Sequence, residues 1–218
     1  MAADVNSVKT AVYPQWVTST ATAPYHHGDL REALAAEAMR QVRAKGGEAV
    51  SLRAVALAVG VSASAAYHHF PDKTALMQEV GHRGSIELDR RTIAAAEAVE
   101  GRGGKAAVAR LDACGAAYIG FAQDEPHLFR HTFGAACATS VDLRHTRESF
   151  AYLTLGRCLD DVDRLGLLSV PREGLDLLAW TTVHGFASLL IEGFLATEAT
   201  GPLLSTVLRV LVRPLPVS

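Results

Sequence analysis

Apolar residues recur at helical spacing along most of this chain, and strand-like alternation never extends beyond short runs. Leu30, Leu34, Ala38 and Val42 repeat every four residues, which predicts a helix over about residues 29–45, ended by Gly46-Gly47. Leu52, Val55, Ala56 and Val59 follow the i, i+3, i+4, i+7 rule and give a second helix one apolar face. Ser51 is placed to cap its first turn, and Gly60 stands where a helix end favours a left-handed residue. Ser62 caps a third helix that runs to about His69, where Pro71 stops it. Asp72 then caps a longer helix through Leu76, Val80, Ile86 and Leu88 towards Ala98. Gly81 and Gly84 each weaken that helix by roughly 1 kcal/mol, so a bend or break is expected there. Four more long or short helices follow over about residues 105–124, 127–133, 143–165 and 173–196, and a last one opens at Pro202 and ends near Arg213. The pattern is that of an all-α protein.

The second and third helices, joined by a tight turn, have the anatomy of a helix-turn-helix, whose second helix enters a DNA major groove. Small Ala56 lets the two cross closely. Ala66 and Phe70, four apart, anchor the third helix inward, while Ala63, Ser64, Tyr67 and His68 face out. Tyr67 and the histidines can donate to phosphates. Lys73 lies at the start of the following helix, where its charge opposes the macrodipole unless a phosphate is bound there. The same spacing also describes an ordinary helical corner with a surface lysine.

Two motifs in this region carry a resemblance. Ala56–Ser62 reads A-x-x-x-G-V-S and Tyr67–Lys73 reads Y-x-H-F-x-x-K, and together, in this order and at this gap, they resemble the DNA-binding signature of TetR-type transcriptional regulators. The run Tyr25-His26-His27-Gly28-Asp29-Leu30-Arg31 is similar to the start of helix one in a large branch of that family. Many members carry Gly-Thr-Leu before the tyrosine; this chain has Ser64-Ala65-Ala66, so position 65 offers only a methyl group. The resemblance implies DNA contacts from Ser51, Ser62, Ala63, Ser64, Ala65, Tyr67, His68, His69 and Lys73. It also implies an arm over residues 1–24, a DNA-reading domain over 25–72 and a ligand-binding and dimerisation domain over 73–218.

Charge alone does not point to DNA. The chain has 21 basic and 23 acidic residues, net −2, which excludes a polycation that coats nucleic acid non-specifically. Between residues 25 and 76 the charges nearly balance, so a few well-placed contacts must suffice. Cys114, Cys137 and Cys158 are odd in number and widely spaced, which fits unpaired thiols in a reducing cytosol. No stretch approaches about 18 consecutive apolar residues, and no membrane span is expected. Residues 1–24 lack the basic start and apolar block of a secretion signal. A cytoplasmic protein with a loose arm is the expectation.

In the remainder, the penultimate helix is apolar nearly all round (Leu175, Leu178, Ala179, Trp180, Val183, Phe186, Leu189, Leu190, Phe194), which predicts burial on both sides. With the last helix it forms half of a four-helix dimer interface, or simply the monomer core. TetR-type proteins dimerise through their last two long helices, and the segment from Trp180 to Gly193 resembles the Trp–His–Gly pattern of one branch. Such proteins also hold a small molecule among the body helices. Tyr118, Phe121, Phe129, His131, Phe150, Trp180 and His184 are the candidate wall, suited to an apolar or aromatic effector.

Other chemistries find little. Glu100–Lys105 lacks the spacing and the Ser/Thr of a phosphate loop. His127 and His131 have i, i+4 metal spacing, with Cys137 and His145 nearby, yet two ordinary histidines on a half-exposed helix are the plainer reading, and no metal or cofactor is assigned. Asp160, Asp161 and Asp163 form a charged helix face, and no catalytic motif is present. The expected function is therefore a homodimeric reader of a palindromic double-stranded operator, a repressor by resemblance, with no enzymatic activity. The alternative is an all-helical small-molecule-binding protein or enzyme in which the helix-turn-helix is structural.

Overall fold

The computed structural model of the chain describes residues 30–134 and 150–214. They fold into α1 (Leu30–Lys45), α2 (Leu52–Val59), α3 (Ala63–His69), α4 (Lys73–Glu97), α5 (Gly104–Asp124), α6 (Pro126–Phe133), α7 (Phe150–Arg164), α8 (Leu175–Ile191) and α9 (Thr200–Leu211), with a 3-10 turn at Thr197–Ala199. The N-terminal arm, residues 25–29 of the Tyr25–Arg31 run, residues 143–149, Cys137 and His145 lie outside the described residues, as does the side chain of Phe150. No strand occurs among the described residues, in keeping with the all-α expectation. One antiparallel bridge, Leu168 with Val212, pins the turn after α7 to the end of α9. There Ser169 N–H donates to the Leu211 carbonyl at 2.8 Å and Arg213 N–H to that of Leu167 at 2.7 Å.

α1, α2 and α3 make a three-helix head around Leu34, Val42, Val55, Ala66 and Phe70, all at most 1% exposed. α4 carries this core outward: Leu76 and Val80 belong to the same buried cluster, which continues through Phe121, Leu128 and Phe129 to Phe186 and Leu204. A second cluster (Leu111, Leu155, Leu159, Val162, Leu175, Leu211) fills the far end of the body.

Two expectations are corrected here. α4 runs without a break from Lys73 to Glu97 despite its glycines. Gly84 is required because α6 crosses at that point: a Cβ built on it would lie 2.1 Å from Thr132 Oγ1. The reason for this glycine is a distant neighbour. α8 ends at Ile191, five residues before the expected 196. Phe194 N–H bonds the Leu189 carbonyl and Gly193 N–H that of Leu190, both at 3.0 Å, closing the helix with a Schellman pattern. In the single chain α8 is not buried on all sides, since Leu177, Leu178 and Leu189 are exposed.

Candidate functional site

The helix-turn-helix is fixed by caps. Ser51 and Ser62 are extended, and their hydroxyl oxygens accept the Ala54 and Ala65 amides at 3.2 Å and 3.1 Å. Their own hydroxyl protons stay uncommitted and can be donated outward. Gly60 takes φ 81°, which lets Val61 N–H reach back to the Ala56 carbonyl at 3.0 Å and turns the chain into α3. Ala66 and Phe70 hold α3 against the head. Its outer face presents Ser64, Tyr67, His68 and His69, with Ala63 and Ala65 half-exposed. Asp72 accepts the Ala75 amide at 2.7 Å and starts α4. Lys73 Nζ bends back to donate to the Glu48 carbonyl at 2.9 Å, tying the loop before α2 to the start of α4. Of the nine candidate DNA residues, Ser51 caps α2, Ser62 and the six from Ala63 to His69 belong to α3 and its cap, and Lys73 opens α4.

Most cations of the head are already engaged. The Arg31 guanidinium stacks 4.4 Å over the Phe70 ring and pairs with Glu79 at 2.7 Å. Arg83 grips both oxygens of Glu32 at 2.6 Å, and that hydrogen bond holds the Glu32 carboxyl below the usual carboxylate range. Arg40 pairs with Glu37, and Arg43 with Glu87 and Glu125. Arg53, in the first turn of α2 beside Ser51, is exposed and has no ion pair among the described residues. Sequence reading counted Arg53 only as a charge; its place beside the capping serine was the available signal.

The second feature is a narrow apolar cleft in the body, with a cavity volume of about 40 Å³ and an open mouth. α5 supplies Leu111, Asp112, Cys114, Gly115 and Tyr118; α7 gives Ala151 and Leu155; α8 gives Ala179, Trp180 and Val183; α9 gives Leu204, Val207, Leu208 and Leu211; Thr92 of α4 closes it. The polar atoms of its inner wall are satisfied within the protein. Tyr118 shares a 2.9 Å hydrogen bond with His184 Nδ1, and Thr92 Oγ1 bonds the Leu88 and Asp89 carbonyls. Burial pushes the Tyr118 hydroxyl far above its ordinary range and lowers His184, so both are neutral. Burial also pushes the Cys114 thiol up to about 12.

Of the candidate ligand residues, Tyr118 and Trp180 stand in this wall. His184 lies behind them, stacked on Trp180 at 5.1 Å and on Phe129 at 5.5 Å. Phe121 is buried beneath Arg91, whose guanidinium sits 5.1 Å above its ring. His131 is elsewhere: it is buried between head and body, with Nε2 donating to the Met77 carbonyl at 2.8 Å. Its i, i+4 partner His127 is exposed. The aliphatic wall residues and Cys114 were missed, because an apolar residue lining a cleft leaves the same sequence pattern as one filling a core.

A capped helix-turn-helix joined through one long helix to an all-helical body defines a DNA-binding regulator. The comparisons agree. A family model described as "Bacterial regulatory proteins, tetR family" matches residues 34–80, and one described as "Tetracyclin repressor-like, C-terminal domain" matches residues 111–211. The chain belongs to the TetR family of DNA-binding transcriptional regulators, which are not enzymes. Among solved structures it is similar to a protein of unknown function from Rhodococcus sp. RHA1, with 27% identity over 84% of this chain and 94% of that one at a TM-score of 0.70. A TetR-family regulator from Pectobacterium atrosepticum shares the fold at 22% identity, covering 82% and 88% of the two chains with a TM-score of 0.63. PfmR from Thermus thermophilus does so at 18% identity, 81% and 97% coverage and a TM-score of 0.59. Among curated proteins none matches the chain. No described helix is long and apolar enough to cross a membrane.

Proposed function

We propose that this chain is a homodimeric, cytoplasmic repressor that reads a palindromic operator and is released by a small apolar or aromatic effector bound in the body cleft. The observation that carries this reading is the continuous buried core running from α3's anchor Phe70 along α4 to Tyr118, which couples reading helix and cleft. α3 enters the major groove with Ala63, Ser64 and Ala65 at base edges. Ser51, Ser62, Tyr67, His68, His69 and Lys73 serve phosphates, joined by Arg53. The exposed Leu177, Leu178 and Leu189 of α8 and Val210 of α9 meet their symmetry mates. The residue ranges 25–72 and 73–218 are the reading and the ligand-binding units. Two heads must match major grooves about 34–36 Å apart. An effector acts only by preferring a separation that does not match.

The test is selection of bound duplexes from a random pool by the purified protein at near-physiological salt. A two-fold symmetric site is the expected product, and it then serves as the probe for effectors that release it. A repressor lowers transcription from a promoter carrying that site; enrichment of no sequence, repeated at lower salt, refutes the proposal.

A further inference from the structure

The charge pattern of the cleft says more about its occupant than apolarity does. Among the described residues its wall contains no Lys, Arg or His, and its one charged member is Asp112. Asp112 is exposed at the rim and makes no hydrogen bond or ion pair among the described residues. The nearest cation in sequence, Arg110, is committed to the Val99 and Gly101 carbonyls. Inside, Tyr118 is paired with His184, and the remaining inner surface is aliphatic apart from the ring of Trp180, the Cys114 thiol and Thr92, whose hydroxyl is bonded to its own helix. A buried carboxylate or phosphate in this cleft finds no cationic partner among the described residues, and an unpaired buried charge is strongly disfavoured. A cation at the rim finds a free carboxylate and water together. Along α5 the wall extends from Asp112 to Tyr118, about 9 Å at the rise of an α-helix.

We infer that the cleft takes a cationic amphiphile, a slender apolar body carrying an ammonium group that lies at Asp112, and that it rejects carboxylates. This rests on the reading of the cleft as the effector site and adds the charge of the ligand. The body of such a molecule lies along Leu111, Gly115 and Leu208 with its far end at Tyr118 and Trp180. Asp112, partly hydrated, gives a modest preference of the size expected for an exposed ion pair.

Three probes with one apolar chain and different heads make the test: octyltrimethylammonium, 1-octanol and octanoate, each below its aggregation limit. Binding is followed by the fluorescence of Trp180 in a Trp16→Phe background and by calorimetry. The expected order is the ammonium about fivefold tighter than the alcohol, with octanoate weaker than the alcohol by on the order of tenfold. In Asp112→Asn the ammonium falls to the level of the alcohol, while alcohol binding is unchanged; thermal unfolding checks that the variant is folded. Raising salt has the same levelling effect on the intact protein. If the alcohol binds and octanoate equals or exceeds it, or if Asp112→Asn leaves the ratios alone, the inference is overturned and the cleft remains an effector site. If none of the three binds, both the inference and the effector reading of this cleft fall.

Discussion

Replacing Gly84 by alanine sets two known effects against each other at one position. In the interior of a helix the change gains about 1 kcal/mol of propensity. Here the new methyl would stand 2.1 Å from Thr132 Oγ1 and 3.3 Å from both Leu128 Cδ1 and Thr132 Cβ. Ordinary carbon contacts begin near about 3.5 Å, so turning the Thr132 side chain relieves the first clash and leaves the other two tight. α4 and α6 must therefore move apart, in a region where Leu128 and Val80 are fully buried. Overpacking of this kind costs about 1–3 kcal/mol, and a larger value is expected for a clash against a rigid helix. The net effect is a loss of about 1–2 kcal/mol. For a chain of this length that lowers Tm by roughly 2–8 °C. Thr132→Ala should rescue the variant only in part: it removes the clashing oxygen and a buried hydroxyl that has no hydrogen-bond partner, but keeps the tight contacts to Leu128 and to the Cβ of residue 132. Gly120, whose added Cβ would meet nothing within 4 Å, is the control, and Gly120→Ala should stabilise. The assay is denaturant unfolding of the four proteins at one concentration. If Gly84→Ala stabilises as much as Gly120→Ala, the close crossing of α4 and α6 is refuted.

Three further outcomes are expected. Lys73→Ala should weaken operator binding about equally for all sequences and reduce the slope of affinity against salt by about 1, read by fluorescence anisotropy over a salt series; an unchanged slope removes Lys73 from the phosphate contacts. Leu178→Glu places a charge on the exposed apolar face of α8 and should shift the protein from dimer to monomer in sedimentation while the helical signal persists. His184 is buried neutral, so its pKa in the folded state lies below the ordinary 6.5. The unfolded chain then binds more protons as pH falls below that value, and stability present at neutral pH is lost on acidification. His184→Gln should flatten this part of the stability profile, and an equally steep profile in the variant would place the acid sensitivity elsewhere.

Where structure follows from neighbours in sequence, it could be read directly. Ser51, Ser62 and Asp72 cap the helices they precede, and Gly60 closes α2, because capping needs only residues a turn away. The end of α8 was harder: Phe194 and Leu195 prolong the apolar pattern past the point where backbone bonds at Gly193 stop the helix. Gly84 looked like a flaw in α4 because its reason, Thr132, lies far away in the chain. Tyr118 and Trp180 stood out as aromatic wall residues, but His131, equally conspicuous, is consumed by the Met77 carbonyl. Arg53 became visible only once every other arginine of the head described above was found to be paired, a fact that no local pattern contains.

The core that runs unbroken from Phe70 to Phe186 also bears on how such proteins can be recombined. Splicing the head of this chain onto the body of a relative is usually planned as a cut between consecutive residues. Here the seam between the two halves is an area, not a point: His131 of α6 meets Met77 of α4 and lies against Gly47, while Thr132 meets Gly84. A chimera joined inside α4 therefore inherits one side of each contact from each parent. Grafts that move α6 together with the head keep these contacts intact and are the ones expected to fold.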